Sequence, residues 1–267
     1  MKSYVIYLPK SELSTKSANN VIDVAKKVGN VEVELWEGVD KFQAESLLEK
    51  YQYLPDIHRF TAFSYFEPAL GCFFSHHSLW EESVRTNERI MILEHDALFY
   101  KEFIDCEFEG VLNIGKPLWG FRNWDESPDG LLERDCNNEH NFFNTRDHNY
   151  CQCDTSFLYG AHAYIVTPKV SEMLLEKAKI EIVPADCFIE SHRHAKMRIP
   201  VADYLPHCVE QVQEFSLIQR ATEVQDWWAS REDFVFGKKA WDEYKNTTTI
   251  KGISTDGNRV VVRKLKE

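Results

Sequence analysis

Ile90-Met91-Ile92-Leu93-Glu94-His95-Asp96-Ala97 is the stretch from which the rest of the chain is best read. Its four leading residues are apolar and mostly large, the pattern of a strand buried on both faces in the middle of a parallel sheet. The run stops at three polar residues, two of them carboxylates. In open α/β sheets ligands bind in the crevice beyond the carboxyl ends of the strands, so Glu94 and Asp96 fall where a site is expected. Carboxylate oxygens are the ligands that hard divalent cations such as Mg²⁺ and Mn²⁺ prefer. The plainer use of an acid-x-acid is structural, with Glu94 opening a turn or helix and Asp96 capping it. This stretch alone leaves both readings open.

Outward from it, the pattern is strand and helix in alternation. Residues 3–8 are rich in Val, Ile and Tyr and read as the first strand, closed by Pro9. Residues 17–28 place Val21, Val24, Ala25 and Val28 on one helical face, with Gly29 as the stop. Residues 31–35 form a second strand, and strand-helix-strand at this spacing is a βαβ unit with parallel strands. Residues 41–51 read as a helix. So do residues 67–86, with Leu70, Phe73, Phe74, His77, Trp80 (or Glu81) and Val84 tracing one face. Further strands are expected at 111–114, 163–167 and 199–204, with helices at 168–179 and 187–194. Residues 116–154 carry no sustained periodicity, and a loop of that length is usually functional. From residue 219 onward apolar anchors are few, which predicts a peripheral extension with a hairpin across Asp256-Gly257. The expected organisation is an α/β domain over 1–220 and a C-terminal extension over 221–267.

Composition narrows the function. The 267 residues suffice for a sizeable core, and 43% hydrophobic with 13% aromatic content marks a folded globular chain. A formal net charge of -12 argues against nucleic acid or an anionic membrane as partner, since both recruit Lys and Arg. It leaves room for a small anionic ligand held through a metal. Met1 to Val5 run straight into a strand with no signal-peptide core, and no apolar run approaches the roughly 20 residues of a membrane span. Seven cysteines without a framework suit reduced thiols. A cytoplasmic protein without a transmembrane segment is expected; the oligomeric state is not legible.

Glu94-His95-Asp96 resembles the acid-x-acid motif of nucleotide-sugar glycosyltransferases, and the flanking blocks make the resemblance specific. Leu70-Gly71-Cys72-Phe73-Phe74-Ser75-His76, then Leu79-Trp80, then the Ile90 strand are similar to the Gly-Cys-x-x-Ser-His, Leu-Trp and Ile-Leu-Glu-Asp-Asp blocks of glycosyltransferase family 25. This is the family of lipopolysaccharide-biosynthesis enzymes and collagen galactosyltransferases. Gly160-Ala161-His162-Ala163-Tyr164-Ile165-Val166-Thr167-Pro168 resembles its Gly-x-x-Ala-Tyr-x-x-Thr/Ser block, Pro184-Ala185-Asp186 its Pro-x-Asp, and Ser216-x-Ile218 near Pro206 its closing segment. The resemblance spans roughly residues 2–220. Two departures stand out. Tyr7-Leu8-Pro9-Lys10 replaces the usual Asn-Leu-Asp-Arg, and His95 replaces an Asp.

The resemblance implies a type A glycosyltransferase fold, a Rossmann-like, mainly parallel sheet flanked by helices. It implies inverting transfer of a hexose, galactose or glucose, from a UDP-sugar to a hydroxyl of a glycan or other acceptor. Mn²⁺ or Mg²⁺ bridging the diphosphate stabilises such a leaving group as a Lewis acid. On this reading Asp96 is the direct metal ligand, and Glu94 binds the metal through water or holds the ribose. Leu8, Ser75, His76 and His95 line the donor site, and Asp186 is the general base. Asp186 could instead cap the helix after it. His95 is either a ligand or a structural neighbour, because adjacent strand residues point to opposite faces. A non-catalytic sugar-nucleotide-binding or glycan-binding domain of the same fold is the alternative.

Other groupings carry less. Ser75-His76 looks like a nucleophile with its base, but adjacent helical residues do not face each other. Cys136, His140, His148, Cys151 and Cys153 fit no common zinc spacing. His192, His194 or His207 is a candidate to complete a metal shell. Trp119, Phe121, Trp124, Phe142 and Phe143 are either loop anchors or a stacking platform for a sugar.

Overall fold

The computed structural model describes residues 1–60, 66–116, 130–133, 158, 160–189, 199–212, 254–256 and 259–261. The chain begins with β1 (Lys2–Tyr7), then α1 (Glu12–Val24), whose last turn widens over Ala25–Gly29, and β2 (Glu34–Glu37). Ser11 caps α1 by accepting the Ser14 N–H at 3.2 Å. The helix therefore starts five residues before the expected 17, because its first turns are polar and leave no apolar periodicity to read. Next come α2 (Lys41–Tyr51), α3 (Ile57–Phe60) and α4 (Phe66–Thr86). Then follow β3 (Ile90–Glu94), β4 (Ala97–Phe99), β5 (Val111–Asn113), β6 (Gly130–Glu133), β7 (Ala163–Val166), α5 (Pro168–Ala178), α6 (Ala185–Phe188), β8 (Val201–Leu205) and β9 (Val209–Gln211). The hairpin β10 (Ser254–Asp256) and β11 (Arg259–Val261) pairs Asp256 with Arg259, as the Asp256-Gly257 turn predicts.

These elements fall into two compact units. The first comprises Met1–Gly38, Ser75–Leu175 and Ala185–Ser216. It holds a seven-stranded sheet in the order β2-β1-β3-β7-β5-β8-β6. The class is the α/β one expected, with a qualification. β7 runs antiparallel to both β3 and β5, and β6 antiparallel to β8, so two strands oppose the other five. The continuous apolar run of β7 reads the same in either direction, which is why its sense was not legible. Ile90, Met91, Ile92 and Leu93 are fully buried, as a strand covered on both faces requires. Each such side chain contributes about 1.5–3 kcal/mol relative to exposure. Met91 and Leu93 join Val5, Ile165 and Leu112 in a core closed by Ala18, Val21 and Ala25 of α1. On the opposite face Trp36 donates to Ser78 Oγ of α4 at 2.9 Å. Within the first unit α4 is buried almost all round. Val84, expected on the inner face, is exposed, and Glu82 and Ser83 are buried instead.

The second unit comprises Val39–Phe74, Glu176–Pro184 and Leu217–Glu267. A capping box opens α2: Asp40 Oδ1 accepts the Phe42 and Gln43 N–H groups at 3.0 Å, and Gln43 Oε1 accepts the Asp40 N–H at 3.0 Å. The rings of Tyr51, Tyr53 and Phe74 stack.

Gly110 shapes the entry to β5. It has φ +84, and a Cβ there would lie 2.0 Å from the Pro200 carbonyl oxygen, which accepts the Val111 N–H at 2.8 Å. Both the left-handed backbone and the neighbouring main chain exclude a side chain. Gly110→Ala is therefore expected to cost about 2 kcal/mol or more. Thermal unfolding checks it: an unchanged melting temperature would show that this turn tolerates a Cβ.

Candidate active site

β1 and β3 run parallel with Ile6 opposite Glu94, so Leu8 and Asp96 leave the sheet together, each two residues past that pair. This is the carboxyl edge at which a site was expected. The acids do not open a helix. Glu94 ends β3, residues 95–96 form a turn, and β4 follows as a strand paired antiparallel to β9, so Asp96 is no helix cap.

Glu94 is held from α4. His76, fully buried, places Nε2 3.1 Å from Glu94 Oε1 and Nδ1 2.9 Å from the Tyr164 hydroxyl on β7. Trp80 Nε1–H donates to that same hydroxyl at 3.0 Å. His76 and Trp80 are one turn apart on α4, which lets both reach Tyr164. The His76 and Tyr164 rings stack at 5.7 Å and 19°. Both ring nitrogens of His76 are thus engaged away from Ser75, which disposes of a Ser75-His76 nucleophilic dyad. Ser75 is buried beside Gly38, where an added Cβ would approach its hydroxyl to 3.2 Å. Leu8 is half-buried, its N–H donating to Ser14 Oγ at 3.0 Å and its carbonyl accepting the Ser11 N–H at 2.9 Å, so its backbone is largely committed to the start of α1.

The two acids of the motif sit in opposite environments. Burial works to raise the Glu94 pKa, but the hydrogen bond from His76 and the nearby imidazoles of His76, His162 and His95 outweigh it and bring it down to about 2. Asp96 is 1% exposed; burial, and then the charge of Glu94, push it up to about 7. Asp96 Oδ2 accepts the Gln211 amide at 2.9 Å, and its carbonyl accepts the Val212 N–H at 2.8 Å. Its Oδ1 is buried with no hydrogen-bond partner. His95 lies half-buried between the two acids.

Asp186 occupies the first turn of α6, where its Oδ1 accepts the Cys187 N–H at 2.8 Å. The helix expected at 187–194 starts at Ala185, so Asp186 lies inside the helix, not ahead of it. Burial raises its pKa, and the charge of Glu94 adds to the rise, placing the two carboxylates within electrostatic reach.

Several neighbours gave no separate signal in the sequence. His162 is buried with neither ring nitrogen hydrogen-bonded, its carbonyl accepts the Glu94 N–H at 2.8 Å, and burial brings its pKa down to about 4. A Cβ on Gly115 would lie 2.4 Å from its Nε2. Asn113 donates to Asp203 at 2.8 Å, and His207 Nε2 lies 3.7 Å from the same carboxylate. Among the described residues no close cluster of three His, Cys, Asp or Glu ligand atoms includes Asp96 or His207. His207 packs beside Asp203. His192, His194, Ser216, Ile218, the Cys136–His148–Cys153 grouping and the loop aromatics 119–143 lie outside the described residues.

A model of the family described as glycosyltransferase family 25 (LPS biosynthesis protein) matches residues 1–189. The chain belongs to glycosyltransferase family 25. Glycosyl transfer is its activity class, and the mixed α/β sheet is in keeping with the type A fold that membership implies. The matched span takes in His76, Glu94, Asp96, Tyr164 and Asp186 and stops short of Gln211 and of the closing segment near 216. No curated protein matches the family 25 chain significantly. Among solved structures, it is similar to a Drosophila β1,4-galactosyltransferase 7 mutant in complex with manganese, UDP-Gal and xylobiose. That similarity has 10% identity and a TM-score of 0.39, over 100% of this chain and 95% of the other. At that level it transfers no residue role.

The raised Asp96 pKa has a testable sign. A carboxyl whose folded pKa lies near 7 against an ordinary 3.8 ionises at a cost to the fold, a cost absent below about pH 4 and complete above about pH 7. Without metal, Asp96→Asn should raise the melting temperature more at pH 8 than at pH 4, by the equivalent of on the order of a few kcal/mol at most. Equal shifts at both pH values would show that Asp96 is not strained by its charge.

Proposed function

We propose that this family 25 enzyme transfers a hexose, galactose or glucose, from a UDP-sugar to a hydroxyl of a glycan or similar acceptor, with a divalent cation. The observation that carries the reading is the buried, unpartnered Oδ1 of Asp96 beside Glu94, whose Oε1 is held by His76, at the carboxyl edge of parallel strands. An oxygen so placed fits a hard cation. Mg²⁺-type sites commonly use one or two carboxylates and are completed by substrate phosphates and water. Asp96 would hold Mn²⁺ or Mg²⁺ directly, and Glu94 through water or by way of the ribose. When bound, such an ion neutralises the diphosphate leaving group.

The chain's own residues supply the remainder. Ser75, His76, Leu8 and His95 border the donor; Glu94, ionised and oriented by His76, is a fixed acceptor for a ribose hydroxyl or a metal-bound water. Asp186, its proton affinity raised by burial, suits the general base. As the anomeric C–O bond to the diphosphate breaks, the acceptor oxygen bonds to the anomeric carbon from the opposite face and its proton passes to Asp186, giving inversion. A cytoplasmic setting is part of the proposal; no helix among the described residues is long and apolar enough to cross a membrane.

Calorimetry should find UDP bound in Mn²⁺ and much more weakly in EDTA, with Asp96→Asn losing the metal-dependent part. Equal affinity with and without metal removes the cation from the reading. Asp186→Asn should keep UDP binding while lowering turnover about 10²-fold or more. If its turnover per folded molecule is unchanged, Asp186 is not the base. UDP binding without transfer to any glycan acceptor would leave a sugar-nucleotide-binding domain.

A further inference from the structure

Glu94 is aimed by a chain of three hydrogen bonds that starts at Trp80 on α4. Trp80 Nε1–H can only donate, so at 3.0 Å the Tyr164 oxygen accepts from it. The Tyr164 hydroxyl proton then faces His76 Nδ1 at 2.9 Å, and His76 Nε2 faces Glu94 Oε1 at 3.1 Å. A carboxylate is acceptor-only, so Nε2 must carry a proton to bond it, and in a neutral ring Nδ1 is then the lone pair that Tyr164 can satisfy. Read in sequence, every bond points one way, from Trp80 through Tyr164 and His76 to Glu94. Trp80, Tyr164 and His76 are buried to 0% exposure, so water does not compete for these positions. The stacking of His76 on Tyr164, and of Trp80 on Phe188 at 5.5 Å and 17°, fixes the ring planes as well.

We propose that Tyr164 is a positioning residue for the donor site: its hydroxyl holds His76 as the Nε2–H tautomer and thereby orients Glu94 toward the donor and its cation. Only a hydroxyl does this, because it accepts from Trp80 and donates to His76 at once. Phe keeps the ring and the stacking but leaves the Trp80 N–H and His76 Nδ1 buried and unanswered. The proposal rests on the reading of Glu94 as a donor-site carboxylate, and two readouts keep the two ideas apart.

The first readout needs no activity and no change at Tyr164. In ¹⁵N-histidine-labelled full-length protein, with His76 assigned by loss of its signals in His76→Gln, Nε2 should show a protonated-type shift and Nδ1 an unprotonated one, locked in a single tautomer. Protonation at Nδ1, or at both nitrogens, overturns the proposal whatever the enzyme binds. The second readout compares Tyr164→Phe with its parent. The His76 shifts should move to a mixture of tautomers, and UDP affinity in Mn²⁺ should fall about tenfold, the scale of one hydrogen bond to a charged group. A folded Tyr164→Phe protein with the parent tautomer and the parent UDP affinity overturns the proposal. Should Tyr164→Phe not fold, the spectrum of the parent alone decides. If the parent binds no UDP while its tautomer is locked as stated, it is the donor-site reading that fails, and the chain of hydrogen bonds stands.

Discussion

A carboxylate at the end of a strand buried on both faces must be answered by donors, and the first unit is arranged around that demand. Leaving such a charge unpaired in an apolar interior is far costlier than any single packing contact can offset. Glu94 continues a run of four residues with no exposure, and its answer comes from His76, one helix and eighteen residues away in sequence. The imidazole is itself buried, so it needs a partner for its second nitrogen, which Tyr164 supplies, and Tyr164 is in turn completed by Trp80. Each step transfers the obligation to a less polar group until it ends at an indole N–H, which has nothing further to satisfy.

Sheet pairing explains how these groups come to share one face. Tyr164 pairs with Ile92, and Ile92 lies two residues before Glu94, so all three side chains point to the same side of the sheet. α4 covers that side and brings His76 and Trp80 down onto it.

The acid pair is divided by these surroundings. Glu94 is stabilised in its charged form, while Asp96, buried beside that charge and given one amide from Gln211, is strained in its charged form. A cation bound there, as proposed, would relieve such strain, because it reverses the sign of the dominant neighbour. On that reading Asp96 combines strain as a lone anion with an oxygen open to a ligand, the usual trade at a functional carboxylate.

Local pattern by itself determined the α/β class, the burial of the Ile90–Leu93 run, the position of α4 and the placing of Glu94 and Asp96 at a carboxyl edge. These follow from periodicity and from the abrupt change of polarity at Glu94, which are properties of neighbouring residues. The family motifs marked His76, Tyr164 and Asp186 as belonging together without showing how. Tertiary structure alone decided the direction of β7, the start of α1 at a polar Ser11 cap, the exposure of Val84, and the continuation of Asp96 into a strand paired with β9. It also chose the partners: Tyr164 for His76, Gln211 for Asp96, Asp203 for Asn113. Hydrogen bonds between residues 88 to 115 positions apart leave no periodic trace, because a buried donor can be supplied from any element that folds against it.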